Sequence, residues 1–152
     1  MTRLTDYGII LLACVARASG QEVHNARDLA TASRLPLPTV NKVLKTLTRK
    51  GLLASQRGVK GGYRLARRPE DVTLAQIIGA LEGPVTIADC TGEVAGSCEH
   101  EGACPVQGNW QRINQAIRDA LDRISLSEMA RPLAGPSGLL RLRPPASASE
   151  VR

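Results

Sequence analysis

The sequence predicts a mainly α-helical fold with a small β-wing: a winged helix-turn-helix domain followed by a long C-terminal dimerisation helix. Three observations predict it. Between Leu29 and Pro69 there are ten Lys or Arg residues and no Asp or Glu. The same tract reads helix, proline-marked turn, helix and glycine-rich hairpin, in that order. Farther on, Trp110, Ile113, Ile117, Leu121 and Ile124 recur at spacings of three and four, a single apolar stripe on one helix. At 152 residues the chain is one ordinary domain, or a small domain with an arm. Hydrophobic residues make up 43%, but there is no Phe, one Trp and two Tyr, so the core must be built from aliphatic side chains.

The first helix is expected over residues 5–18, with Thr5 as cap and Asp6 at the positive end of the helix dipole. It is apolar nearly all round and reads as buried, with Cys14 a core residue. Asn25 should cap a second helix reaching about Ser33. Leu35-Pro36-Leu37-Pro38 forces a turn, because proline restricts its predecessor away from helix. Pro38 then suits the first position of a third helix. Val40, Val43, Leu44 and Leu47 form its apolar stripe, and Thr39, Asn41, Lys42, Lys45, Thr46 and Arg49 occupy the other side. Lys50-Gly51 closes it with a cation at the negative end and glycine at the left-handed cap. Strand-like runs follow at Leu52–Arg57 and Tyr63–Ala66. Between them lies the basic tip Arg57-Gly58-Val59-Lys60-Gly61-Gly62, whose glycines permit close backbone approach.

This order of elements places the third helix in the major groove of double-stranded DNA and the wing against backbone or minor groove. Expected contacts are Thr39, Asn41, Lys42, Lys45 and Arg49 on the helix, and Arg57, Lys60, Gly61 and Arg64 on the wing. A solvated charged face would account for the lysines alone, but not for a forty-residue acid-free tract with turn, cap and wing in place. The organisation expected is a DNA-binding domain over 1–82, a cysteine loop over 83–104, a dimerisation helix over 105–131 and a disordered tail over 132–152.

Thr73-Leu74-Ala75-Gln76 is a capping box for a short helix stopped by Gly83-Pro84, and Ser125-Leu126-Ser127-Glu128 is a second. Between them, Cys90, Cys98 and Cys104 place three of the four cysteines within fifteen residues of Gly, Ser, Thr, Ala and acids. Such a loop can wrap thiolates around one soft metal centre, an iron–sulfur cluster or zinc. From Gly83 to Gln111 there is no Lys or Arg, so this segment is not a DNA contact. No apolar run is long enough for a membrane span, and residues 9–16 lack the flanks of a signal peptide. A reducing, cytoplasmic location follows, where cysteine clusters bind metal or react more often than they form disulfides. No Ser/His/Asp set, phosphate loop or carboxylate pair stands out, so an enzyme, and with it a small-molecule substrate, is not expected.

Taken together, Leu4-Thr5-Asp6-Tyr7-Gly8, Leu37-Pro38-Thr39-Val40, the wing Arg57–Tyr63 and the cysteine loop followed by Trp110 resemble the winged-helix iron–sulfur regulators typified by IscR and NsrR. Within them the chain is most similar to the branch controlling SUF cluster assembly. The resemblance covers about residues 1–131 and implies a homodimeric repressor-type regulator on operator DNA. It also implies a 2Fe–2S or 4Fe–4S cluster held by Cys90, Cys98 and Cys104. IscR-like members place a histidine three residues after the last cysteine, where this chain has Gln107. NsrR-like members take an aspartate from the partner subunit, which would be Asp6 here; His100 is a local alternative. A structural zinc site in a constitutive DNA binder and a metal-free thiol redox sensor are the rival readings.

Overall fold

The computed structural model describes residues 2–17, 22–88, 91, 98 and 103–131. Cys90, His100 and the tail expected over 132–152 lie outside the described residues. The described chain is mainly helical with a two-stranded antiparallel wing.

Helix α1 spans Arg3–Arg17. Its cap is one turn earlier than the sequence suggests. The hydroxyl of Thr2 accepts from the Thr5 N–H at 3.4 Å, and Thr5 turns into the core, fully buried. Two threonines three residues apart can each serve as an N-cap, and only packing decides between them. The helix is also not buried all round. Gly8, Leu11, Leu12, Val15 and Ala16 form the covered face, while Ile9, Ile10 and Ala13 stay half-exposed. A Cβ on Gly8 would lie 2.8 Å from Leu81 Cδ1, so the missing side chain lets a later helix close onto α1.

Helix α2, Ala26–Ser33, begins as the sequence indicates: Asn25 Oδ1 accepts from the Asp28 N–H at 2.9 Å. Arg34 takes the left-handed conformation at φ 58° to end it, and Pro36 leads into α3, Leu37–Arg49. That start is one residue before Pro38, which sits in the first turn, where a missing N–H costs nothing. Val40, Val43, Leu44 and Leu47 are all buried, and Gly51 at φ 74° provides the left-handed exit.

Strand β1, Leu53–Gln56, is shorter than the run read in the sequence, and β2, Gly62–Leu65, has the expected length but begins and ends one residue earlier. Leu53 pairs Leu65 and both enter the core, while Ala54 opposite Arg64 takes the other face. A one-residue bridge is added from the other side: His24 and Tyr63 exchange both backbone hydrogen bonds, at 2.9 and 2.8 Å. After a short 3-10 turn at Pro69–Asp71 comes α4, Leu74–Glu82, opened by the Thr73/Gln76 capping box. Helices α5, Gln107–Asp122, and α6, Leu126–Ala130, complete the fold, the latter opened by the Ser125/Glu128 capping box.

A second bridge ties the end of α5 back to the domain. Leu74 N–H donates to the Ile124 carbonyl and Leu126 N–H to the Val72 carbonyl, each at 2.8 Å. Arg17 Nε then holds the end of α6 through the Ala130 carbonyl at 2.8 Å. The core joining these helices and the wing is Leu, Val, Ile and Ala throughout.

Candidate functional site: a basic reading surface and a cysteine loop

Because Val40, Val43, Leu44 and Leu47 turn inward, the 3.6-residue period turns Asn41, Lys42, Lys45 and Arg49 outward, and all four are exposed. Thr39 at the start of the row is half-buried. Thr46 returns its hydroxyl to the Lys42 carbonyl at 3.1 Å and accepts from Arg49 Nη2 at 3.4 Å. Asn41 shares a cleft with Asn25, Arg27, Asp28 and Leu37, so α2 adds Arg27 beside the row. The sequence reading missed Arg27 because it precedes the acid-free tract and is followed by Asp28.

The wing tip is a tight turn closed by the Gly61 N–H on the Gly58 carbonyl at 2.9 Å. Gly58 sits at φ 111°, and a Cβ on Gly61 would fall 2.4 Å from the Gln56 carbonyl oxygen. The close approach that glycine permits here is thus internal to the wing. It leaves Arg57, Val59 and Lys60 exposed at the tip. Arg64 is half-buried on the outer face of β2. At the tract's edge, Arg68 is engaged locally: Nε and Nη2 donate to the two Asp71 carboxylate oxygens at 2.9 and 3.1 Å. The hydrogen bond to Arg68 lowers the Asp71 pKa and raises that of Arg68, so this arginine adds little to the basic surface.

The segment leaving α4 is fixed before it reaches the cysteines. Arg118 Nε donates to the Val85 carbonyl at 3.1 Å, and Ile87 N–H donates to Asn114 Oδ1 at 3.2 Å. A turn follows, in which Thr91 Oγ1 donates to the Ala88 carbonyl at 2.7 Å. Cys98 and Cys104 carry free thiols and are half-exposed; the Cys104 carbonyl accepts from the Gln107 N–H at 3.3 Å, placing it one turn before α5. Asp6 is exposed near the start of α1. Among the described residues no three His, Cys, Asp or Glu side chains converge, so Asp6, Cys98 and Cys104 of one subunit do not meet. Gln107 is the first residue of α5. Cys14 is different: it packs against the core, and burial raises its thiol pKa, with Arg17 opposing. Neutral thiols in that setting are poor metal ligands.

Along α5 the apolar stripe is only partly covered, with Trp110 40% and Ile113 46% exposed. The one fully inward position is Asn114. No described helix is long and apolar enough to cross a membrane.

Residues 1–132 match the Rrf2 family, described as an iron-dependent transcriptional regulator. The NsrR regulator of Halalkalibacterium halodurans is 24% identical over 144 residues, covering 95% of this chain and 99% of that protein. Among solved structures, CymR, the global cysteine regulator of B. subtilis, superposes with a TM-score of 0.68 at 27% identity, over 86% of this chain and 95% of that one. IscR of T. potens superposes with a TM-score of 0.64 at 26% identity, over 85% and 84%. The chain belongs to the Rrf2 family, and it is a DNA-binding transcriptional regulator rather than an enzyme.

Proposed function

We propose that this regulator senses iron–sulfur status: a homodimer reads operator DNA with the α3 faces and wings, and a cluster held by the cysteine loop sets how tightly it binds. The observation that carries this is where the thiols lie. Cys90, Cys98 and Cys104 all stand on the one segment joining the reading domain to α5, and Cys98 and Cys104 are free and reachable. The donor set suits the group, since thiolate sulfur is the common ligand of iron–sulfur clusters. The fourth ligand is Asp6 of the partner subunit, because Gln107 occupies the position of the IscR-like histidine and Asp6 is exposed. His100 is the competing donor.

A thiolate-held cluster supplies sensitivity to oxidants, nitric oxide and iron supply. The chain's own residues do the rest. Asn41, Lys42, Lys45 and Arg49 meet bases and phosphates of the major groove, and Arg57, Lys60 and Arg64 meet the flanking backbone. In a dimer the spacing of the two α3 helices is geometric, so a small change in how the subunits sit alters operator affinity. Trp110 and Ile113, partly bare in one subunit, are the dimer contact. The target genes are those of SUF cluster assembly.

Anaerobically purified protein should hold iron and acid-labile sulfide in equal amounts and absorb in the visible. Replacing Cys90, Cys98 and Cys104 together with serine should abolish both. A colourless protein carrying one zinc per subunit would overturn the reading. A metal-free thiol switch is the second reading, favoured by the likeness to a cysteine regulator and by the two accessible thiols. Operator binding that responds to oxidant in iron-free protein would select it.

A further inference from the structure

We infer that Asn114 and Arg118 are positioning residues that seat the cysteine loop on α5, so that the state of the loop is passed to the dimer helix. This rests on the sensing role proposed above.

The two residues are one turn apart on α5 and grip one strand of chain. Asn114 Oδ1 takes the Ile87 N–H at 3.2 Å, and Arg118 Nε reaches the Val85 carbonyl at 3.1 Å. Both bonds go to backbone, so they fix the path of residues 85–87 whatever side chains those residues carry. Ala88 and Thr91 then close a turn spanning Cys90 in sequence, with Thr91 Oγ1 on the Ala88 carbonyl at 2.7 Å.

Asn114 is only 5% exposed on a helix that otherwise buries no residue fully. A buried amide on a half-bare helix is costly unless bonded, and this one is bonded to the loop's entry strand. Arg118 likewise turns its guanidinium into the cleft between α4 and α5, lined also by Gln76, Gly79 and Asp122. The other end of the strand is anchored to the reading domain: Glu82, the last residue of α4, accepts from the Thr2 N–H at the start of α1. One short segment, residues 82–87, thus connects α1 to α5, and it ends three positions before Cys90 in the sequence.

The test uses the full chain, purified without oxygen, as wild type and as Asn114→Leu, Arg118→Met and Asn114→Asp. Two quantities are read: the rate of iron release to a chelator, and the ratio of affinities, with and without cluster, for a duplex selected from a random pool by the wild type. Removing partners one shell out from metal ligands costs about 10–100-fold in metal affinity. Asn114→Leu and Arg118→Met should release iron about tenfold faster and bring the affinity ratio towards one, with cluster-free affinity unchanged. Asn114→Asp keeps the acceptor oxygen and should behave as wild type. A merely structural role would lower thermal stability without moving the ratio. Variants matching wild type in release and ratio would overturn the inference while leaving the sensing role intact. Wild type without iron and sulfide would overturn both. If Asn114→Leu does not fold, the half-exposed Arg118→Met decides the question.

Discussion

The two kinds of cysteine in this chain differ in setting, and setting determines chemistry. All three are partly exposed, but Cys14 packs against the core on α1 with its thiol pKa raised by burial, whereas Cys98 and Cys104 lie outside any helix. In cluster-free protein, iodoacetamide should therefore modify Cys98 and Cys104 about tenfold faster than Cys14, as peptide mass spectrometry would show. Equal rates would place Cys14 among the reactive thiols. Glu82 offers a second test at this scale. Hydrogen bonds from the Thr5 side chain and the Thr2 backbone hold its carboxyl below the ordinary value. The folded state thus prefers the ionised form. Its contribution is complete above the ordinary glutamate pKa of about 4.3 and is lost as pH falls through the lowered folded value. Glu82→Gln should lower Tm near pH 7 and leave it close to wild type at low pH, so that the acid limb of the Tm-against-pH curve flattens; an unchanged acid limb would refute the anchor.

Element by element, what the sequence revealed was what depends on neighbours in sequence. The α3 stripe, the Asn25 cap and the capping boxes at Thr73 and Ser125 are local patterns, and each is found in place. The basic row of α3 followed from the same period. Contacts between distant segments gave no such signal. The His24–Tyr63 bridge, the Thr73–Ser125 bridge, and the bonds from Asn114 and Arg118 to residues 85–87 join stretches with nothing in common locally. Thr5 was misread for the same reason, since only the tertiary packing chooses Thr2 over Thr5. Within α3, Leu47 is fully buried, and Leu47→Ala should cost about 2–5 kcal/mol in urea denaturation. In the wing, Gly61→Ala would drive a Cβ into the Gln56 carbonyl. We expect it to weaken operator binding at least about tenfold by re-aiming Arg57 and Lys60, with helical circular dichroism retained. Undiminished binding would mean that the tip is not a contact.

At the scale of the whole molecule, charge and apolar surface are segregated along the chain. The tract between Leu29 and Pro69 has no acid and carries the basic row of α3 and the wing tip, and the segment between Gly83 and Gln111 has no Lys or Arg and carries three of the four cysteines. The half-bare α5 follows, carrying Trp110 and Ile113. Ile113→Asp puts a charge on that stripe and should convert a dimer to monomers in sedimentation velocity, with operator affinity falling because two half-sites are no longer bound together. The coupling of loop to reading surface is tested most directly by one titration. A single anaerobic preparation is divided, the cluster is removed from half, and both halves are titrated with the same selected duplex at fixed salt. We expect the two affinities to differ by at least about fivefold, the lower end of typical coupling between sites. Identical affinities in protein shown to have carried the cluster would contradict it.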